Sequence, residues 1–192
     1  MANMEELSLQ EIIQVRNNAD VLISEKEVMQ AIDLVAKNIE SSLANEVPIF
    51  LCVMKGGLMF TAALMQRITS PMVLDYIHVD RYRNKTEGSS IHWHKEPDTS
   101  LNGRTVIIVD DILDEGYTLQ ELIAYCEAKG AKRVLSAVLL KKKLSVTLTS
   151  VVPDFLGLEV TDRYVFGWGM DYKGYLRNLS SIYAVSDNEN SK

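Results

Sequence analysis

Three apolar runs set the most severe limit on how this chain folds. Ile49-Phe50-Leu51-Cys52-Val53, Val106-Ile107-Ile108-Val109 and the stretch Val134–Leu140 are almost free of polar interruption. A strand with one wet face alternates polar and apolar residues, so a run that is apolar throughout must be covered on both faces. Such strands belong in the middle of a sheet, with helices above and below. The segments between them supply those helices. Ser24 and Glu27 form a Ser-x-x-Glu capping box, and Val28, Ile32, Val35 and Ile39 follow at helical spacing towards Leu43. Leu58–Ile68 reads as a second helix after the break at Gly56-Gly57, and Thr118–Lys129 as a third, closed by Gly130. Met72–Val79 alternates well enough to be a further strand. This alternation predicts an α/β domain, a mainly parallel sheet flanked by helices with right-handed crossovers. Ligands bind beyond the carboxyl ends of the strands in such sheets, so the residues after each strand carry the functional information.

The most informative of these is Asp110-Asp111-Ile112-Leu113-Asp114-Glu115-Gly116-Tyr117-Thr118, which follows the apolar run ending at Val109. A buried strand delivers two adjacent acids to the crevice, where hydroxyls and cations are held, and a third acid follows three positions later. Gly116 permits a tight turn with inward amides, and Thr118 adds a hydroxyl at the start of a helix whose dipole favours an anion. One loop thus offers phosphate binding at one end and acid or metal chemistry at the other. Ribose 5-phosphate has both needs.

In this pattern the chain resembles the type I phosphoribosyltransferases, and within them it looks like the hypoxanthine-guanine phosphoribosyltransferases. The resemblance runs from about Leu22 to Val185 and rests on several further motifs. It implies that Asp114, Glu115, Gly116, Tyr117 and Thr118 bind the 5′-phosphate, with Asp114 also the catalytic base for the purine N7 proton. It implies that Asp110 and Asp111 face the ribose and its metal, and that Lys55 and Gly56 of Met54-Lys55-Gly56-Gly57 bind pyrophosphate. In that loop the family often has a non-proline cis peptide. Arg177 resembles an arginine that contacts pyrophosphate. In Lys141-Lys142-Lys143, one lysine is expected against the exocyclic oxygen of the purine; counting from the Leu-Leu pair selects Lys142, with Lys141 the alternative. Tyr164 would stack on the purine, the Val165 backbone would meet its edge, and Asp171 would lie near a magnesium ion or the exocyclic group. Asp171 and Asp110 are thus the implied metal ligands and Mg2+ the implied cofactor.

Other implications concern organisation. A core of about 45–150 would carry a small hood built from the chain ends, about 1–25 and 151–185, and a flexible lid over about 80–103. Where the family has a Ser-Tyr pair in the lid, this chain has Arg81-Tyr82. Glu115 and Tyr117 also depart from the usual residues, and the Glu115 carboxylate is expected to point outward, leaving its N–H for the phosphate. His92 and His94 could share a metal from one strand, but no third ligand is evident in sequence, and an exposed hairpin is the expected reading. The implied activity joins hypoxanthine or guanine to phosphoribosyl pyrophosphate in purine salvage, with a homodimer or homotetramer expected. Preference among hypoxanthine, guanine and xanthine stays open.

Composition narrows the alternatives. The chain has 192 residues, 47% hydrophobic, enough for one cored domain. The net charge of −6 lacks the positive field that draws in nucleic acid. That counts against the second reading, a regulatory protein sensing phosphoribosyl pyrophosphate or nucleotides on the same fold. Cys52 and Cys126 lie in apolar surroundings, as buried free thiols do. Met1–Gln10 lacks an apolar signal core, and no stretch approaches the roughly 20 apolar residues of a membrane span. A soluble, cytoplasmic protein is expected.

Overall fold

The computed structural model describes residues 6–43, 46–82, 90–145 and 149–186; for 81, 82 and 90 it gives the backbone alone. Its main sheet has six strands: β2 (Ile49–Met54), β3 (Val73–Tyr82), β4 (Ser90–Lys95), β5 (Thr105–Leu113), β6 (Arg133–Lys143) and β7 (Phe155–Thr161). Their spatial order is β4-β3-β2-β5-β6-β7, parallel except for β4, which returns antiparallel on β3. Phe155–Thr161, placed with the hood on sequence grounds, therefore pairs with β6 and forms an edge of the main sheet.

The apolar runs are central, and both of their faces are covered. On β2 and β5, Phe50, Ile107 and Val109 face one core with Val28, Ile32, Val35 and Ile39 of helix α2 (Glu25–Ser42) and with Phe60 and Leu64 of α3 (Leu58–Met65). Ile49, Leu51, Val106 and Ile108 face the other, with Leu119, Leu122 and Cys126 of α4 (Tyr117–Ala128). Each such side chain, removed from water, contributes on the order of 1.5–3 kcal/mol before chain entropy is counted. The Ser24–Glu27 capping box is formed in both directions at the start of α2. Cys52 and Cys126 are buried and free; burial pushes the Cys126 thiol up to about 12.

A second, three-stranded antiparallel sheet gathers both chain ends in the order β1-β9-β8: β1 (Asp20–Ile23), β9 (Ile182–Ala184) and β8 (Val165–Phe166). Sequence reading missed the helix before it, α1 (Leu9–Asn18). It too has a complete capping box, Ser8 with Glu11, but its single buried residue, Val15, gives no apolar stripe to read. No described helix is long and apolar enough to cross a membrane.

Candidate active site

Strand order places the site. β2 leads through α3 to β3 on one side, whereas β5 leads through α4 to β6 on the other. The carboxyl ends of β2 and β5 therefore flank a switch point, where the outgoing loops diverge and leave a crevice. A cleft of about 340 Å³ occupies it, with Lys55 and Gly56 on one wall, Asp110 to Thr118 on the other, and Arg177 above.

The loops touch so closely that glycine is required between them. A Cβ on Gly56 would stand 1.9 Å from Asp111 Oδ2, and one on Gly57 would stand 2.5 Å from the Val109 carbonyl. Gly169, with φ +98°, packs on the Gly56 carbonyl, where a Cβ would come within 2.1 Å. This third glycine was not singled out in the sequence, although the pattern Gly167-Trp168-Gly169 marks an unusual backbone. The Met54–Lys55 peptide is cis. Gly116 takes φ +87° at the N-terminus of α4, and Thr149 holds that turn by donating to the Glu115 carbonyl at 3.0 Å.

The two acids after Val109 crowd each other. The Asp111 N–H donates to Asp110 Oδ1 at 2.9 Å, and the Ile112 N–H donates to Asp111 Oδ1 at 2.9 Å. Burial pushes both carboxyls above their usual range, and the neighbouring Asp111 charge raises Asp110 further. The Arg177 guanidinium opposes this at Asp111. Arg177 is itself fixed, donating to the Gly169 carbonyl at 2.6 Å and pairing with Asp171 at 2.5 Å.

A second hollow, of about 170 Å³, adjoins the cleft and shares Asp111, Ile112 and Asp114 with it. Lys142, Tyr164, Val165 and Asp171 line its remaining sides. Lys142, not Lys141, reaches this hollow, because neighbours on β6 point to opposite faces. Lys142 Nζ lies 3.5 Å from Asp114 and 3.4 Å from Asp162, a partner the sequence had not suggested. The Tyr164 ring meets Tyr172 edge-on at 5.6 Å and leaves its other side exposed; burial of its hydroxyl end raises the phenol's pKa. Val165 is backed by β9, opposite Ala184.

A phosphoribosyl transferase domain model matches residues 18–173. The chain belongs to the phosphoribosyltransferase family. Among the family's members, the hypoxanthine-guanine phosphoribosyltransferase of Bacillus subtilis is 35% identical over 163 residues, covering 84% of this chain and 90% of that one. A solved hypoxanthine-guanine phosphoribosyltransferase from Bacillus anthracis has a TM-score of 0.79 at 28% identity, covering 87% of this chain and 97% of its own. A hypoxanthine phosphoribosyltransferase from Staphylococcus aureus shares the fold, with a TM-score of 0.86 at 22% identity over 96% of this chain and all of that one.

Glu115 is not splayed into solvent: it is half-buried, with Oε2 enclosed between the cleft and the Lys141–Lys143 side of the loop. The Arg81 and Tyr82 backbones continue β3 opposite Ile91 and Ser90. Their side chains, with residues 83–89 of the expected lid, lie outside the described residues.

Proposed function

We propose that this chain transfers the 5-phosphoribosyl group of phosphoribosyl pyrophosphate to hypoxanthine or guanine, releasing pyrophosphate. The observation that carries the reading is the pair of adjoining hollows sharing Asp111, Ile112 and Asp114. One is walled by phosphate-binding backbone and the other by an aromatic ring, a lysine and an acid. Relatives named hypoxanthine-guanine phosphoribosyltransferase, at 31–35% identity over most of the chain, support the same assignment.

In this reading the 5′-phosphate lies on the turn from Asp114 to Thr118, against the amides at the start of α4, where the helix dipole favours an anion. Lys55, Gly56 and Arg177 take the pyrophosphate, the arginine by a planar fork suited to phosphate oxygens. The base lies in the smaller hollow, stacked on Tyr164, with the Val165 backbone at its edge and Asp171 near the exocyclic group. Lys142 donates to the exocyclic oxygen at C6; adenine presents a donor there and is rejected. The purine N9 lone pair attacks C1′, the bond from C1′ to the pyrophosphate oxygen breaks, and Asp114 accepts the N7 proton. Positive charge grows on the sugar and negative charge on the leaving group, so Lys55 and Arg177 act where the charge develops.

The acid set fits a magnesium ion. Asp110 and Asp111 present hard oxygen donors in a crowded pair, one buried and one half-buried, that a divalent cation would relieve. Asp171 would join through an oxygen now paired with Arg177, since its other oxygen accepts the Gly174 N–H at 2.6 Å. Bound Mg2+ would neutralise part of the charge building on pyrophosphate.

The test is nucleotide formation from phosphoribosyl pyrophosphate and Mg2+ with hypoxanthine, guanine, xanthine, adenine or orotate supplied singly. Turnover with hypoxanthine or guanine, and none with adenine, is expected. Turnover with adenine or orotate alone would discard the assignments of Lys142 and Tyr164.

A further inference from the structure

The sequence contains three histidines, His78, His92 and His94, and the fold brings all of them to one patch. The patch lies on the β3–β4 hairpin, on the face opposite Val79 and Trp93, which belong to the α4-side core. Pairing sets Asp80 opposite His92 and Val79 opposite Trp93, but His78 falls opposite Lys95. The register slips there, which leaves His94 as the extra residue of a bulge, a feature that commonly re-aims a side chain. Here it turns the His94 ring onto His78, stacked at 4.5 Å with planes 29° apart, and brings His94 Nε2 to 2.6 Å from Asp80 Oδ2. The ligand atoms of His78, Asp80 and His94 all lie within 4.8 Å of one another.

We infer that His78, Asp80 and His94 form a binding site for a divalent transition-metal ion of the Zn2+ type. Two imidazoles and one carboxylate are a borderline donor set that suits zinc or its neighbours and not magnesium. Ligands about 2.1 Å from a tetrahedral ion stand about 3.4 Å apart, so the cluster need only draw in slightly. His94 and Asp80 already approach more closely than that, and His78, on the same strand face as Asp80, closes by side-chain rotation. The nearest lysine on β4 does not compete, because Lys95 is turned to Asp98 at 2.8 Å and over the Tyr76 ring. Three protein ligands leave a fourth position for water.

A surface histidine–aspartate pair explains the His94–Asp80 contact alone. It does not explain why the bulge seats a second imidazole against the first. The ion would tie β4 to β3 beside the crevice, since Asp80 also lines the cleft. Through Asp80 the site borders the same cleft as Asp110 and Asp111, but it uses none of the residues assigned to the proposed transferase reaction.

The experiment titrates the chelator-stripped full-length protein with Zn2+ against a chromophoric competitor, in excess Mg2+ to occupy the hard oxygen sites. One equivalent bound with a micromolar or tighter Kd is expected. His78→Gln, Asp80→Asn and His94→Gln should each weaken it at least about tenfold, the usual loss when a ligand or its support is removed. Asp110→Asn should leave it unchanged. Co2+ substituted for Zn2+ should give visible d–d absorption in the wild type that is absent from His78→Gln/His94→Gln. Thermal unfolding of the metal-free variants at wild-type temperature shows that they fold. Equal Zn2+ affinity in wild type and the double variant, or no binding at micromolar Zn2+, overturns the site.

Discussion

Carboxylates do opposite work in the scaffold and in the crevice. Glu40, at the end of α2, accepts the Thr69 and Ser70 N–H groups at 3.0 and 3.1 Å, and Asp75 accepts those of Tyr76 and Thr99, each at 2.7 Å. Glu27 accepts the Ser24 N–H at 2.9 Å. Hydrogen bonds hold Glu27 and Glu40 below the usual carboxylate range. At Asp75 burial pushes upward, but the Thr99 and Tyr76 bonds outweigh it and the carboxyl is lowered as well. These acids favour the folded state in their charged form. Asp111 is buried and Asp110 half-buried beside it, and both are pushed up. A fold selected for stability alone would not place two acids side by side at the end of a buried strand. The contrast marks where the structure tolerates unfavourable electrostatics in exchange for chemistry.

The sharpest attempt to break that contrast is Asp114→Asn. If the crevice acids were structural, this change would alter stability and spare turnover. The reverse is expected. Loss of the proton acceptor should lower kcat roughly a hundred- to ten-thousandfold. The unfolding free energy should move by less than about 0.5 kcal/mol, because Asp114 is half-exposed and, among the described residues, is paired with Lys142 at 3.5 Å. Single-turnover kinetics with hypoxanthine measures the first and denaturant unfolding the second. Unchanged turnover removes Asp114 as the base.

Much of this contrast was legible in the sequence, for physical reasons. A strand apolar at every position is buried on both sides, so acids at its end must enter the crevice. The Ser24–Glu27 box announced its helix because a cap is local chemistry. What stayed hidden depended on distant pairing. Gly169 matters because it packs on Gly56, more than a hundred residues earlier. Asp162 matters because β7 lies beside β6 and delivers it to Lys142. The His92-Trp93-His94 segment showed one donor of the inferred site, His94, and the other two, His78 and Asp80, come from a strand that only the hairpin register brings alongside. That Glu115 is half-buried was hidden for a similar reason: the fold sets its loop beside the end of β6, where it shares a hollow with Lys141, Lys142 and Lys143.

Asp110→Asn sharpens the comparison at intermediate size. The variant keeps an acceptor for the Asp111 N–H and removes one half-buried charge. It should stabilise the metal-free protein by on the order of 1–2 kcal/mol at pH 7 while lowering activity. The pH dependence distinguishes this from better packing. Both carboxyls have raised folded pKa values, so the penalty is absent below about pH 4, where they are protonated in either state. It grows as pH rises through the folded values. The difference between variant and wild type should therefore be small in acid and widen towards neutrality. Adding Mg2+ should narrow it, because the ion relieves the wild-type pair. A difference independent of pH would mean that the acids are not electrostatically coupled.

The smallest effect comes from the scaffold side. Ser24→Ala removes the hydroxyl that accepts the Glu27 N–H and donates to the Glu27 carboxylate at 2.6 Å. Loss of such a cap costs about 1 kcal/mol of stability. Because neither Ser24 nor Glu27 is among the residues lining the two hollows, kcat and KM should both stay at wild-type values. The pH dependence should also run opposite to that of Asp110→Asn. Glu27 has a lowered folded pKa, so its share of stability is present above the unfolded carboxyl range and lost as pH falls through the folded value. The destabilisation by Ser24→Ala should therefore be largest near neutrality and shrink in acid. Thermal melts of both variants across the same pH series give two curves departing from wild type in opposite directions. If Ser24→Ala instead raised stability at pH 7, the scaffold acids would carry the same burden as the crevice acids, and burial alone would not separate function from support.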